Sequence, residues 1–166
     1  MLKMLPAKYT SFTVARLREL LHYEPTTGIF TRVVGRRGAA KAGDVAGCLH
    51  PNGYIYICVD GKRYMAHRLA HLYMVGAWPP AMIDHRDNCK HNNTWANLRP
   101  ATGSENQLNA SARKNNKLGQ KNISKNHGSY TVTVQGVPLG CSTDLDTAIA
   151  WRDFAVEFCA GDFARI

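Results

Sequence analysis

Residues 83–109, IDHRDNCKHNNTWANLRPATGSENQLN, decide how the rest of the chain is read. The stretch opens on a short strand, Ile83–His85, and passes through Arg86–Thr94, which is polar and rich in asparagine. It ends on Thr102 and Glu105, a T-x-x-E capping box that predicts a helix running to about Ala112. An acid and an imidazole therefore stand side by side on a strand. Adjacent strand residues point to opposite faces unless the strand ends or bends, so Asp84 can hold a cation while His85 reaches a water. Asn106, in the first turn of the following helix, can offer a carbonyl oxygen to the same cation. Hard oxygen ligands of this kind favour Mg²⁺ or Mn²⁺ over zinc. An imidazole titrates near operating pH and suits a general base. Hydrolysis of a phosphodiester needs an activated water, charge neutralisation at phosphorus and help for the leaving oxygen, and this set of side chains can supply all three.

With Asp84-His85, Asn97 within WANLR and Asn106 within SEN in these positions, the stretch resembles the HNH, or ββα-metal, nuclease motif, closest in pattern to phage and intron-encoded homing endonucleases. The segments MAHRLAHLYMVGAWP and LLHYEPTTGIFTR extend the likeness over most of residues 17–110. The resemblance implies that His85 is the general base, that Asp84 is a metal ligand, and that Asn97 ties the loop together and orients His85. It implies one Mg²⁺ or Mn²⁺ ion per site, with no structural zinc, and products carrying a 5′-phosphate and a 3′-hydroxyl. Many members have histidine at the third position. Asparagine at Asn106 follows the homing-endonuclease branch and argues for an oxygen-ligated ion.

Upstream, Thr13 can cap a helix over 13–23, with Val14, Leu17, Leu20 and Leu21 on one face. Ile29–Val34 reads as a strand, and Tyr54–Val59 with Arg63–Met65 as a hairpin turning at Asp60-Gly61. Ala66–Val75 reads as a helix stopped by Gly76 and Pro79-Pro80. His67 and His71 have a metal-capable spacing, but no third ligand lies nearby in sequence, so no metal site is assigned to them. Asp87 and His91 lie in the polar loop, able to touch a ligand or merely to solvate it.

Downstream, residues 113–120 read as a basic linker, followed by strands at 122–124, Tyr130–Val134 and Val137–Cys141 with a turn at Gln135-Gly136. Thr143 with Asp146 can cap a last helix to about Cys159. Tyr130, Val132 and Val134 should face that helix and Thr131, Thr133 and Gln135 the other side. Leu139-Gly140, Thr143, Ala148, Arg152-Asp153, Ala155, Gly161 and Phe163-Ala164 resemble the Apetala-type (ethylene-response-factor-like) DNA-binding domain. The strands carry few arginines, which favours tracking of the DNA backbone over base readout. A packing appendage that supports the nuclease fold is the alternative.

The formal net charge of +9 over 166 residues favours a polyanionic partner. Two acid-free basic runs, Arg32-Arg36-Arg37-Lys41 and Arg113-Lys114-Lys117-Lys121-Lys125, are the candidate phosphate contacts, with Arg68, Thr131 and Thr133 added to them. The five cysteines contain no CxxC pair, which argues against a disulfide framework and a four-cysteine zinc site. No apolar run is long enough for a membrane span, five reduced thiols fit a cytoplasmic protein, and the resemblance implies a phage or bacterial setting. The expected class is α+β: positioning strands and helix over 1–60, a ββα-metal core over 61–112, a linker over 113–120 and a DNA-binding module over 121–166. The expected partner is double-stranded DNA, nicked in one strand by a monomer, with a dimer as the route to a double-strand cut. The rival expectations are a non-catalytic DNA-binding regulator that keeps the fold, and a nuclease directed at RNA or branched DNA.

Overall fold

The computed structural model describes residues 12–35, 40–110, 112 and 116–160. Its contacts divide the chain into two compact units, Met1–Pro100 and Ala101–Ile166. Both mix helix and strand, as an α+β class requires.

In the first unit, α1 (Val14–Leu20) is capped by Thr13, whose side chain accepts from the Arg16 N–H at 3.2 Å. The helix stops earlier than the expected residue 23. Leu21 and Tyr23 are buried while His22 between them is exposed, a period of two, and they form β1 (Leu21–Glu24). That strand pairs antiparallel with β2 (Ile29–Arg32), with Tyr23 opposite Phe30. β3 (Cys48–Leu49), β4 (Ile55–Val59) and β5 (Lys62–Met65) form an antiparallel sheet in that order. Asp60 and Gly61 both have positive φ, 47° and 75°, as the expected two-residue hairpin turn demands. α2 (Ala66–Val75) follows at once and ends on left-handed Gly76. β6 (Met82–His85) pairs with β7 (Leu98–Ala101), which is reached through a 3₁₀ turn at Trp95–Asn97. The core gathers Leu17, Leu21, Tyr23, Phe30, Ile57, Tyr64, Leu69 and Leu72 from these elements.

In the second unit, α3 (Gly103–Asn109) starts on the complete capping box. The Glu105 N–H donates to Thr102 Oγ1 at 3.2 Å, and the Thr102 N–H donates to Glu105 Oε2 at 2.7 Å. The helix ends at Asn109 and gives way to extended backbone at Ala110, about three residues short of expectation. β8 (Ile123–Asn126), β9 (Ser129–Val134) and β10 (Val137–Ser142) form an antiparallel sheet with β9 central. Gln135 and Gly136 make its left-handed turn. α4 (Leu145–Ala160) covers the face bearing Ile123, Val132 and Val134 with Ala148 and Val156. Its cap is Asp144 rather than the expected Thr143: Asp144 Oδ2 accepts from the Thr147 N–H at 2.8 Å and from its hydroxyl at 2.6 Å.

Candidate active site

β6 delivers Asp84 and His85 together, both nearly solvent-free at 3% and 4% exposure. The two side chains go separate ways, as alternation on a strand dictates. Asp84 meets Arg99 of β7, whose Nε and Nη2 both donate to Asp84 Oδ2 at 2.8 Å. His85 meets the loop: its Nε2 lies 3.2 Å from Oδ1 of Asn93. Asn93 is itself 1% exposed, and its Nδ2 donates to the His91 carbonyl at 3.2 Å. That second bond fixes which end of the amide faces the imidazole. An oxygen facing Nε2 requires the proton there, so the His85 lone pair sits on Nδ1. Burial pushes the imidazole below its ordinary value, more than the Asn93 bond and the charges of Asp87 and Asp84 raise it. His85 is therefore neutral at physiological pH, the state a base requires.

Asn97 is the staple of the loop. Its Oδ1 accepts from the Asp87 N–H at 3.0 Å, and its Nδ2 donates to Asp87 Oδ1 at 2.9 Å and to the Asn92 carbonyl at 2.8 Å. Asp87 also accepts from Asn92 at 2.7 Å and from the Cys89 N–H at 2.8 Å. Burial pushes this carboxyl up, but the bonds outweigh it and hold it below the ordinary carboxylate range. The side-chain contact to His85 comes from Asn93 rather than from Asn97.

The loop is clamped from outside by the β1–β2 hairpin. The buried Tyr23 hydroxyl donates to the Asn93 carbonyl at 2.7 Å, and the Trp95 N–H donates to the Pro25 carbonyl at 2.9 Å. Gly28, at φ 73°, lies against the same backbone: a Cβ there would fall 2.3 Å from the Asn93 carbonyl carbon and 2.4 Å from the Thr94 nitrogen. Only glycine allows this approach in this conformation. From α2, His67 packs edge-on against His85 with ring centroids 5.1 Å apart, and Tyr54 lies 5.2 Å from His67 and 5.9 Å from His85. Burial, with the charges of His85 and Arg68 behind it, pushes the His67 imidazole down to about 3. His71 points elsewhere, its Nδ1 3.0 Å from the Ala77 carbonyl.

The donor chemistry suits a hard ion. Asp84 offers a carboxylate, and the Arg99 guanidinium donates twice to its Oδ2. Among the described residues no three His, Cys, Asp or Glu side chains cluster to hold an ion. Asn106 lies on α3 in the second unit.

Of the expected DNA contacts, Arg36, Arg37, Arg113 and Lys114 lie outside the described residues. Arg32 ends β2, and the exposed Lys41 donates its N–H to Asp44 at 2.7 Å. The Arg68 guanidinium reaches the carbonyls of Ala81 and Pro79 at 3.4 and 3.5 Å. Lys117 is exposed. The Lys121 ammonium donates to the Leu108 carbonyl, and the Lys125 ammonium lies 5.4 Å over the Tyr130 ring. Thr131 and Thr133 are half-buried, and Thr131 stands opposite Ser124 and Cys141 across the sheet.

The strand-borne histidine and the asparagine-stapled loop both lie within a segment that matches a known family. Residues 64–108 match the family described as HNH endonuclease. That domain supports a nuclease, a hydrolase in class, and implies DNA as its substrate. No curated protein and no solved structure matches the chain. No helix among the described residues is long and apolar enough to cross a membrane.

Proposed function

We propose that the chain is a metal-dependent HNH endonuclease that hydrolyses DNA phosphodiester bonds and nicks one strand per active site. The observation that supports the reading is the His85–Asn93 contact, which holds the imidazole of the proposed base against the asparagine-rich loop while burial keeps it below its ordinary value. In the proposed step a water oxygen bonds to phosphorus, its proton passes to the His85 imidazole, the bond from phosphorus to the 3′ oxygen breaks, and that oxygen takes a proton from solvent water. The products carry a 5′-phosphate and a 3′-hydroxyl. Asp84, steadied by Arg99, and Asn106 would hold one Mg²⁺ or Mn²⁺ ion, Asn106 on the strength of its motif position. The ion, when bound, neutralises charge at the phosphate and assists the leaving oxygen. Asn97 keeps the loop closed, and Asn93 sets the tautomer of His85.

The chain order β6, β7, α3 supports a ββα-metal core, and the second unit, a three-stranded sheet with a helix over one face, is compatible with an Apetala-type module that lengthens the DNA footprint. Arg32, Lys41, Arg68, Lys117, Thr131 and Thr133 would contribute to that footprint.

Supercoiled plasmid incubated with Mg²⁺, with a chelator, and with His85→Ala tests the reading. Relaxed circles should form only with wild type and metal. The burial of Asp84 and His85 and the Arg99 fork on Asp84 favour one rival, a DNA-binding protein that keeps the fold without cutting. Equal DNA binding by wild type and His85→Ala, with no nicking by either, would establish that rival.

A further inference from the structure

α4 presents to solvent an aromatic stripe whose edge, Trp151, rests against Gly140 of its own unit, while Phe154 and Phe158 stand clear of it. Its inner face, Ala148, Arg152 and Val156, is buried. Trp151, Phe154 and Phe158 are 43%, 73% and 84% exposed, and the last two rings lie nearly parallel at 14° with centroids 6.4 Å apart. Their spacing of three and then four residues, with Thr147 four residues before Trp151, is the seam spacing of paired helices. Three large aromatics in one solvated row are far from the single exposed apolar residues that ordinary surfaces carry.

The surroundings decide what covers them. The helix bears Asp146, Asp153 and Glu157; its one cation, Arg152, is 4% exposed, pairs with Asp153 and donates to the Lys121 carbonyl at 3.1 Å, which leaves Asp146 and Glu157 as the acids beside the stripe. An apolar, acid-flanked face repels a phosphate backbone. In a chain of net charge +9, such a face also lowers the repulsion between two approaching copies. We propose that the stripe is the interface between two copies of this chain, α4 pairing with α4 about a two-fold axis.

The exposed fractions add up to about two whole aromatic side chains, roughly 300–500 Å² per copy. A two-fold contact doubles this to roughly 600–1,000 Å² before flanking atoms are added, which places the dimer at the small, reversible end of specific interfaces. Two copies supply two His85 residues, the number that a cut through both strands requires.

Sedimentation equilibrium of the full chain between about 1 and 100 μM tests the proposal, since weak interfaces of this size assemble in that range. The mass should climb from 18.4 kDa towards twice that value. The double variant Phe154→Gln/Phe158→Gln, with an unchanged circular dichroism spectrum, should associate at least about 30-fold more weakly, as loss of a buried aromatic pair does at interface centres. A wild type that stays monomeric throughout overturns the proposal, as does a double variant that associates equally well. A monomeric wild type whose double variant loses affinity for duplex DNA assigns the stripe to DNA and equally overturns it.

Discussion

Gly28→Ala tests whether the β1–β2 hairpin holds the loop of His85 in place. The new Cβ would stand 2.3 Å from the Asn93 carbonyl carbon and 2.4 Å from the Thr94 nitrogen, both backbone atoms with no rotamer to yield. Ordinary contact distance requires a shift of roughly 1 Å in the chain that carries Asn93, and with it Oδ1 at His85 Nε2. Two costs combine. The left-handed φ of 73° costs alanine about 1–2 kcal/mol, less about 0.4–1 kcal/mol regained from the stiffer unfolded chain. Overpacking adds about 1–3 kcal/mol. Gly61→Ala isolates the first cost, because Gly61 has φ 75° and nothing lies within 4 Å of its absent Cβ. Urea unfolding should place Gly61→Ala about 0.5–1 kcal/mol below wild type and Gly28→Ala about 2–4 kcal/mol below it. In plasmid nicking with Mg²⁺, Gly28→Ala should be slower by about 10²-fold, the effect of a misplacement near 1 Å, while Gly61→Ala cuts as wild type does. A Gly28→Ala protein as stable and as active as Gly61→Ala would refute the clamp. If the stability difference appears but wild type never nicks, the clamp stands and the nuclease reading falls.

Asn93→Leu should slow nicking by about 10–100-fold without changing the affinity for DNA, and Asn93→Asp, which keeps an oxygen acceptor at Nε2, should recover much of the loss; equal rates in the two variants would remove the tautomer role. Tyr23→Phe deprives the buried Asn93 carbonyl of its hydroxyl donor and should lower stability by about 1–3 kcal/mol in urea unfolding, with no change expected if that carbonyl is already satisfied. His67 is buried and holds a proton only near pH 3, whereas the unfolded chain takes one up near 6.5, so its stabilising contribution is complete above pH 6.5 and is lost as pH falls towards 3. At pH 5 the loss from this residue should be about 2 kcal/mol relative to pH 7.5, and His67→Gln should flatten that part of the profile; an identical pH dependence in the variant would show that His67 is not responsible.

Local chemistry made several elements legible in the sequence. The Thr102–Glu105 box, the Asp60-Gly61 and Gln135-Gly136 turns and the stop at Gly76 each depend on a few adjacent residues, and each stands where it was expected. β1 and β7 escaped notice because their local sequence masked the strand pattern. Leu21 continued the apolar rhythm of α1 and disguised the switch to a period of two, while Pro100 weakened the strand signal of residues 98–101. Asp84, His85 and Asn97 could be picked out by type and spacing. Asn93 could not, since an amide in an asparagine-rich loop gives no periodic signal and its value lies in a contact eight residues back. Arg99 was hidden for another reason: arginine reads as a surface residue, and only the pairing of β6 with β7 turns it towards Asp84.

The anchoring of Asn93 by Tyr23 and of Trp95 by Pro25 bears on how far residues 64–108 can be separated from their neighbours. A fragment trimmed to that segment would retain the histidine but lose the bracket that keeps its supporting amide in place. Transplanting the chemistry into another scaffold would therefore mean carrying along the tyrosine and the glycine turn that precede it by dozens of residues.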